Sequence, residues 1–178
     1  MKYIHVVLFC LCLCCIFVDV DETKTIGIIR EWKPNWEISF DINIHTEVDA
    51  YITFLWCTTH PFYTPRLIGS KIPKLLLKKD KLKIRYSIND NWNYLATHDM
   101  GYNHWRHVKI LHYTSPRYPA KFKIVVDDIV VHSVVNDNPV IFNNVQCQGG
   151  FSGVKPANIT NLRYKPRSEY FGTGSYTL

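Results

Sequence analysis

After residue 22 the chain lacks any stretch in which apolar residues recur at the three- and four-residue spacing of a helix. That sets aside helical bundles, coiled coils and the folds that join parallel strands by crossover helices. No apolar run reaches the ~20 residues of a membrane-spanning helix. Walker loops and Gly-x-Ser-x-Gly elbows are missing, which excludes P-loop nucleotide chemistry and the α/β-hydrolase nucleophile. Gly149-Gly150-Phe-Ser-Gly153 is glycine-rich, but it joins two predicted strands and opens no helix, so it cannot aim a helix N-terminus at a phosphate. There is no internal repeat or low-complexity block.

What is present describes one folded domain. The 178 residues are 47% hydrophobic and 14% aromatic, which rules out a disordered chain. Twenty-one Lys and Arg against 15 Asp and Glu give a formal charge of +6, a surface that attracts polyanions. Lys2 and His5 precede the apolar run Val6 to Val18, which Asp19, Asp21 and Glu22 end. A basic start and a short apolar core are the pattern of a secretory signal peptide, taken as residues 1–20, with cleavage between Val18 and Asp21. The expectation is a secreted protein with no stable membrane insertion after cleavage. Cys10, Cys12, Cys14 and Cys15 leave with that segment, and Cys57 and Cys147 remain. In an oxidising compartment this pair reads either as a disulfide or as two buried thiols, and the sequence leaves both open.

From Lys24 to Tyr164 short alternating runs are split by Pro, Gly, Asn and Asp, which predicts an all-β sandwich. Lys81 to Ile88 alternates Leu82, Ile84, Tyr86 and Ile88 with Lys81, Lys83, Arg85 and Ser87. Trp36 to Ile44 does the same, with Trp36, Ile38, Phe40, Ile42 and Ile44 facing inward. Further strands are expected at 26–32, 50–56, 74–77, 105–113, 120–126, 129–135, 140–145 and 157–164. Asp127-Asp128 falls between two β-branched runs, at a hairpin turn. Trp36 and Trp105 are both expected in the core.

The run Trp105-Arg-His-Val108-Lys-Ile110, then Phe122-Lys-Ile124-Val-Val126-Asp127-Asp128, Asn138-Pro139 through Val145, and Ala157-Asn-Ile159-Thr-Asn161-Leu162 resembles the second half of a laminin-G-like domain of the concanavalin A-like lectin/glucanase superfamily. The resemblance extends over residues 24–166 and implies a two-sheet antiparallel jelly roll that works by recognition. Residues 167–178 read as a flexible tail.

That superfamily also contains glycoside hydrolases, whose strand carries Glu-x-Asp-x-Glu. The nearest match, Glu37-Ile-Ser39-Phe-Asp41, lacks the central Asp. Its two carboxylates sit four residues apart, ~13 Å along a strand, against the ~5–5.5 Å of a retaining pair. No enzyme is expected. His104, His107 and His112 alternate faces on a strand and have no Cys-x-x-Cys or His-Glu-x-x-His beside them, so zinc is not expected. No cofactor is expected. Calcium is admissible at loops carrying Asp127, Asp128, Asp137 and Asn138, where ordinary Asx-turn chemistry is the plainer account.

Seven basic residues, Lys71, Lys74, Lys78, Lys79, Lys81, Lys83 and Arg85, fall within fifteen positions. Several laminin-G-like domains bind heparin through basic patches, so the resemblance implies a sulfated glycan on this stripe, with Lys78, Lys79, Lys81, Lys83 and Arg85 as the candidate ligands. The bland reading is a lysine-guarded edge strand. Asn91-Trp92-Asn93-Tyr94 is read as a loop that offers aromatic and amide groups to a neutral sugar, with Trp92 and Tyr94 as candidates. The galectin patterns His-x-Asn-x-Arg and Trp-x-x-Glu-x-Arg are absent. Asn158-Ile159-Thr160 is a glycosylation sequon. The partner is thus a glycan or, alternatively, an extracellular protein met by an adhesion or matrix module. Nucleic acid is set aside for want of any recognition motif. Oligomeric state is not encoded in these patterns.

Overall fold

The computed structural model describes residues 24–60, 66–115, 118–151 and 153–166. The expected signal segment and C-terminal tail lie outside the described residues. Eleven strands follow one another: β1 (Lys24–Trp32), β2 (Trp36–Ile44), β3 (Ile52–Thr58), β4 (Lys74–Lys78), β5 (Lys81–Ile88), β6 (Asn91–Asp99), β7 (Trp105–Ser115), β8 (Tyr118–Val126), β9 (Ile129–Asn136), β10 (Phe142–Gly149) and β11 (Ala157–Pro166). They form two antiparallel sheets, one ordered β1-β10-β3-β4-β5-β6 and the other β11-β2-β7-β8-β9. Among the described residues there is no helix. This is the predicted two-sheet sandwich.

The alternation explains the layers. On β2 every second residue, from Trp36 to Ile44, is buried to 2% exposure or less. Leu82, Ile84 and Tyr86 of β5 face them from the other sheet. Trp36 sits at the centre, its ring 5.4 Å from both Trp32 and Tyr86. Burial at roughly 25 cal/mol per Å² makes these aromatic contacts the main cohesive element of the core.

Two hairpins turn on pairs of residues with positive φ, Asn89-Asp90 (50° and 58°) and Asp127-Asp128 (49° and 64°). Both angles belong to the type I′ turn, whose twist matches its strands and which Asn and Asp tolerate. The first turn also links the sheets. Asn89 donates its amide to Val135 O at 2.7 Å and accepts from Asp137 N at 2.6 Å, laying a backbone-like clamp beside the last residues of β9.

Three expectations need correction. Asn91-Trp92-Asn93-Tyr94 is not a loop but the start of strand β6, which pairs with β5 from Lys81↔Asp99 to Ile88↔Asn91. Its inward residues, Tyr94, Ala96 and His98, are too mixed to read as an apolar face. The strand expected at 140–145 starts at Phe142, leaving Val140 and Ile141 exposed at 38% and 51%. Trp105 is 51% exposed and stands on the solvent side of its sheet.

Cys57 and Cys147 are bonded across β3 and β10, with Cα atoms 4.1 Å apart. Cys57 turns its amide and carbonyl toward Pro73 O and Ile72 N. It therefore faces Cys147 as a non-hydrogen-bonded pair, the closest approach an antiparallel ladder offers.

Candidate functional site

The basic side chains emerge from the outer face of the six-stranded sheet. Register aligns Gln148, Trp56, Lys74, Arg85 and Leu95 in one row across β10, β3, β4, β5 and β6. Lys71 stands beside this row, in the segment entering β4. Ile72 anchors that segment, its side chain fully buried and its amide donated to Cys57 O at 2.7 Å. Ser87 N holds Lys71 O at 2.9 Å.

Lys71 Nζ then lies 3.9 Å from the centre of the Trp92 ring and donates to Asn93 Oδ1 at 2.6 Å. Arg85 Nη1 donates to the same oxygen at 3.3 Å. Lys74 Nζ lies 3.7 Å over the Trp56 ring, whose Nε1 is fixed on Ser70 O at 2.8 Å. Three cations thus gather around one neutral carbonyl oxygen and two indoles. Among the described residues no carboxylate forms an ion pair with any of the three. Burial pushes the Lys71 amine down to about 8, and the like charges of Arg85 and Lys74 push the same way. Lys74 is lowered as well, by burial and then by Arg85. Such crowding is electrostatically costly, and an anion would relieve it.

The rest of the predicted stripe is divided. Lys79 sits in a turn at φ 55° and faces Glu47 and Asp49, each at 3.7 Å. Lys81 is ion-paired to Asp99. Lys78 and Lys83 flank the Tyr51 ring at 5.0 and 4.8 Å, and Lys83 donates to its hydroxyl at 3.1 Å. Of the predicted ligand residues, Arg85 and Trp92 belong to the three-cation focus. Lys78 and Lys83 stand at the other end of the same face. Tyr94 points the opposite way and meets His132 Nε2 at 2.9 Å, bridging the two sheets. Sequence reading missed Trp56, since nothing in its own strand says that it would lie beneath Lys74.

The acidic candidates are dispersed. Asp127 pairs with Arg106 at 2.8 Å and Asp128 with Lys109 at 2.8 Å. Asp137 lies beyond the far end of β9, roughly 25 Å away for a strand of that length. Among the described residues no three His, Cys, Asp or Glu side chains gather to hold a metal. His112 is buried, with Pro34 O and Asn136 as its partners, while His107 is on the outer face. His107 Nδ1 donates to Asp41 at 2.6 Å, and Asn161 donates to the other Asp41 oxygen at 2.6 Å. Burial raises the Asp41 carboxyl, but the bonds from Asn161 and His107 outweigh it and hold the acid below its ordinary range.

No family model and no curated protein matches the chain. Solved structures do. The receptor-binding domain of botulinum neurotoxin serotype G superposes with a TM-score of 0.58 at 11% identity, covering 86% of this chain and 41% of that one. The serotype D ligand-binding domain, solved in complex with N-acetylneuraminic acid, gives 0.57 at 12%, covering 87% and 44%. An endo-beta-1,4-glucuronan lyase from the fungus Trichoderma reesei gives 0.50 at 12%, covering 84% and 79%. The chain spans less than half the length of the two toxin domains. At these identities the likeness establishes the β-sandwich fold.

Proposed function

We propose that this chain is a secreted, non-catalytic glycan-binding module of laminin-G-like type that takes acidic sugars on the outer face of its six-stranded sheet. The observation that carries the reading is the pair Lys71 and Arg85 on Asn93 Oδ1, with Lys74 over Trp56 beside them and no carboxylate ion-paired to any of the three among the described residues. A sulfate or carboxylate there would accept charge-assisted bonds from groups already held in place. Fold neighbours lend support, since one was solved with an acidic sugar and another is named for acting on glucuronan.

The same geometry favours acidic over neutral sugars. A pyranose stacks on an open ring face, whereas Trp56 and Trp92 each carry a lysine ammonium over the ring. Cation–π contacts of ~0.5–2 kcal/mol keep the ammoniums there.

The test is retention on immobilised heparin and on its desulfated form across a salt series. Salt-sensitive retention on the sulfated matrix, reduced at least tenfold in affinity by Lys74→Glu with Arg85→Glu, is the expected result. Retention unchanged by that double reversal would overturn the site. Failure to bind any acidic glycan would instead favour the protein-adhesion reading.

A further inference from the structure

The outer face of the five-stranded sheet carries a separate feature, independent of the basic focus. Trp105 is 51% exposed, and no ring, cation or hydrogen-bond contact of its indole is found among the described residues. Its ring offers an open apolar face on a solvated strand, a surface on which a sugar ring can stack. The register shows what stands beside it. Trp105 of β7 pairs with Asn43 of β2, and Asn43 pairs with Asn158 of β11. Directly paired residues project from the same face, so Asn158, Asn43 and Trp105 form one row. Asn158 is exposed and opens the sequon Asn158-Ile159-Thr160. Two strand spacings, roughly 10 Å, separate its backbone from that of Trp105.

We propose that Asn158 carries an N-linked glycan whose first sugars lie across Asn43 and cover the ring of Trp105. The attachment is group transfer from a lipid-pyrophosphate-linked oligosaccharide in the secretory pathway. Asn158 Nδ2 forms a bond to the anomeric carbon as that carbon's bond to the pyrophosphate oxygen breaks. The amide loses one proton, and the lipid pyrophosphate leaves. The first sugar of such a glycan is an N-acetylhexosamine, with an apolar ring face that suits an indole and an acetamido N–H. The distance suits one or two sugars.

The experiment uses the full chain secreted from a eukaryotic cell line. Peptide mass mapping before and after glycosidase treatment reads occupancy at Asn158, and iodide quenching of tryptophan fluorescence, taken as the difference from Trp105→Phe, reads cover over the ring. Occupancy at Asn158 is expected, with quenching of Trp105 rising at least twofold when the glycan is removed. Asn158→Gln and Thr160→Val, which end glycosylation by different routes, should both show the uncovered value. An unmodified Asn158 in the secreted protein would overturn the proposal. Equal quenching with and without the glycan would also overturn it. Protection seen only with added free N-acetylglucosamine, and unchanged in Asn158→Gln, would overturn it in favour of an external sugar.

Discussion

At the scale of single residues, Lys71 is the most informative group. Its backbone is fixed beside the buried Ile72, and its ammonium is held near Arg85 by Asn93 Oδ1 and the Trp92 ring. Held at about 8 instead of 10.5, it favours the neutral amine in the folded chain. Between these values the unfolded chain binds more protons, so the Lys71 contribution to stability increases as pH rises from 8 to 10.5. Anion binding runs the other way. The ammonium is needed, so affinity for a sulfated oligosaccharide should fall several-fold from pH 7 to pH 9.5. Binding above pH 8 should take up a proton, read by calorimetry in two buffers of different ionisation heat. Lys71→Arg, charged throughout, should flatten the profile. An unaltered profile in that variant would remove Lys71 from the site. All three cations of this focus fall in the basic stripe, but of the three only Arg85 is among the predicted ligands. The sequence does not reveal that Lys79 and Lys81 are neutralised by Glu47, Asp49 and Asp99, because those partners come from a different loop and from the next strand. Trp105 was misplaced for a related reason. An aromatic at the start of a β-rich run is usually core, and only the register shows which parity faces inward.

At the scale of elements, alternation carried most of the fold. β2 and β5 are legible to the residue because both have one apolar and one polar face. β6 was not legible, for its alternation is diluted by Asn91, Asn93, Thr97 and His98, and its strand character comes from pairing with β5. That pairing brings Asn93 beneath Lys71 and Arg85, so the missed strand is also what completes the site. The link between β3 and β10 was open in sequence and is closed in the structure by Cys57–Cys147. It matters to the site, since β3 supplies Trp56 and carries the backbone that anchors Ile72. A bond enclosing a separation of 90 residues restricts the unfolded chain and is worth about 2–4 kcal/mol. Cys57→Ala with Cys147→Ala should therefore lower the urea midpoint by that much stability and steepen the transition, since the unlinked chain exposes more surface. An unchanged midpoint would mean that the bridge adds nothing to a ladder already set by the core.

At the scale of the whole molecule, the formal charge of +6 is too blunt to explain binding. Most of the ion pairs sit at rims and turns, where Lys79, Lys81, Arg106 and Lys109 meet carboxylates. Lys71, Lys74 and Arg85, by contrast, meet on one face with no carboxylate ion-paired to them among the described residues. Two explanations of polyanion binding then part company. If net charge governs, Lys74→Glu and Lys81→Glu should weaken heparin retention equally, because each changes the formal charge by the same amount. If the focus governs, Lys74→Glu should cost most of the affinity. Lys81→Glu, which replaces an ion-paired lysine beside Asp99, should cost less than threefold. Long-range attraction is screened beyond ~8 Å at physiological ionic strength, so the comparison belongs at that salt. Equal losses there would reduce the face to a generic basic surface. Unequal losses would mean that the sheet register selects where the anion sits, with charge excess contributing mainly to the rate of encounter.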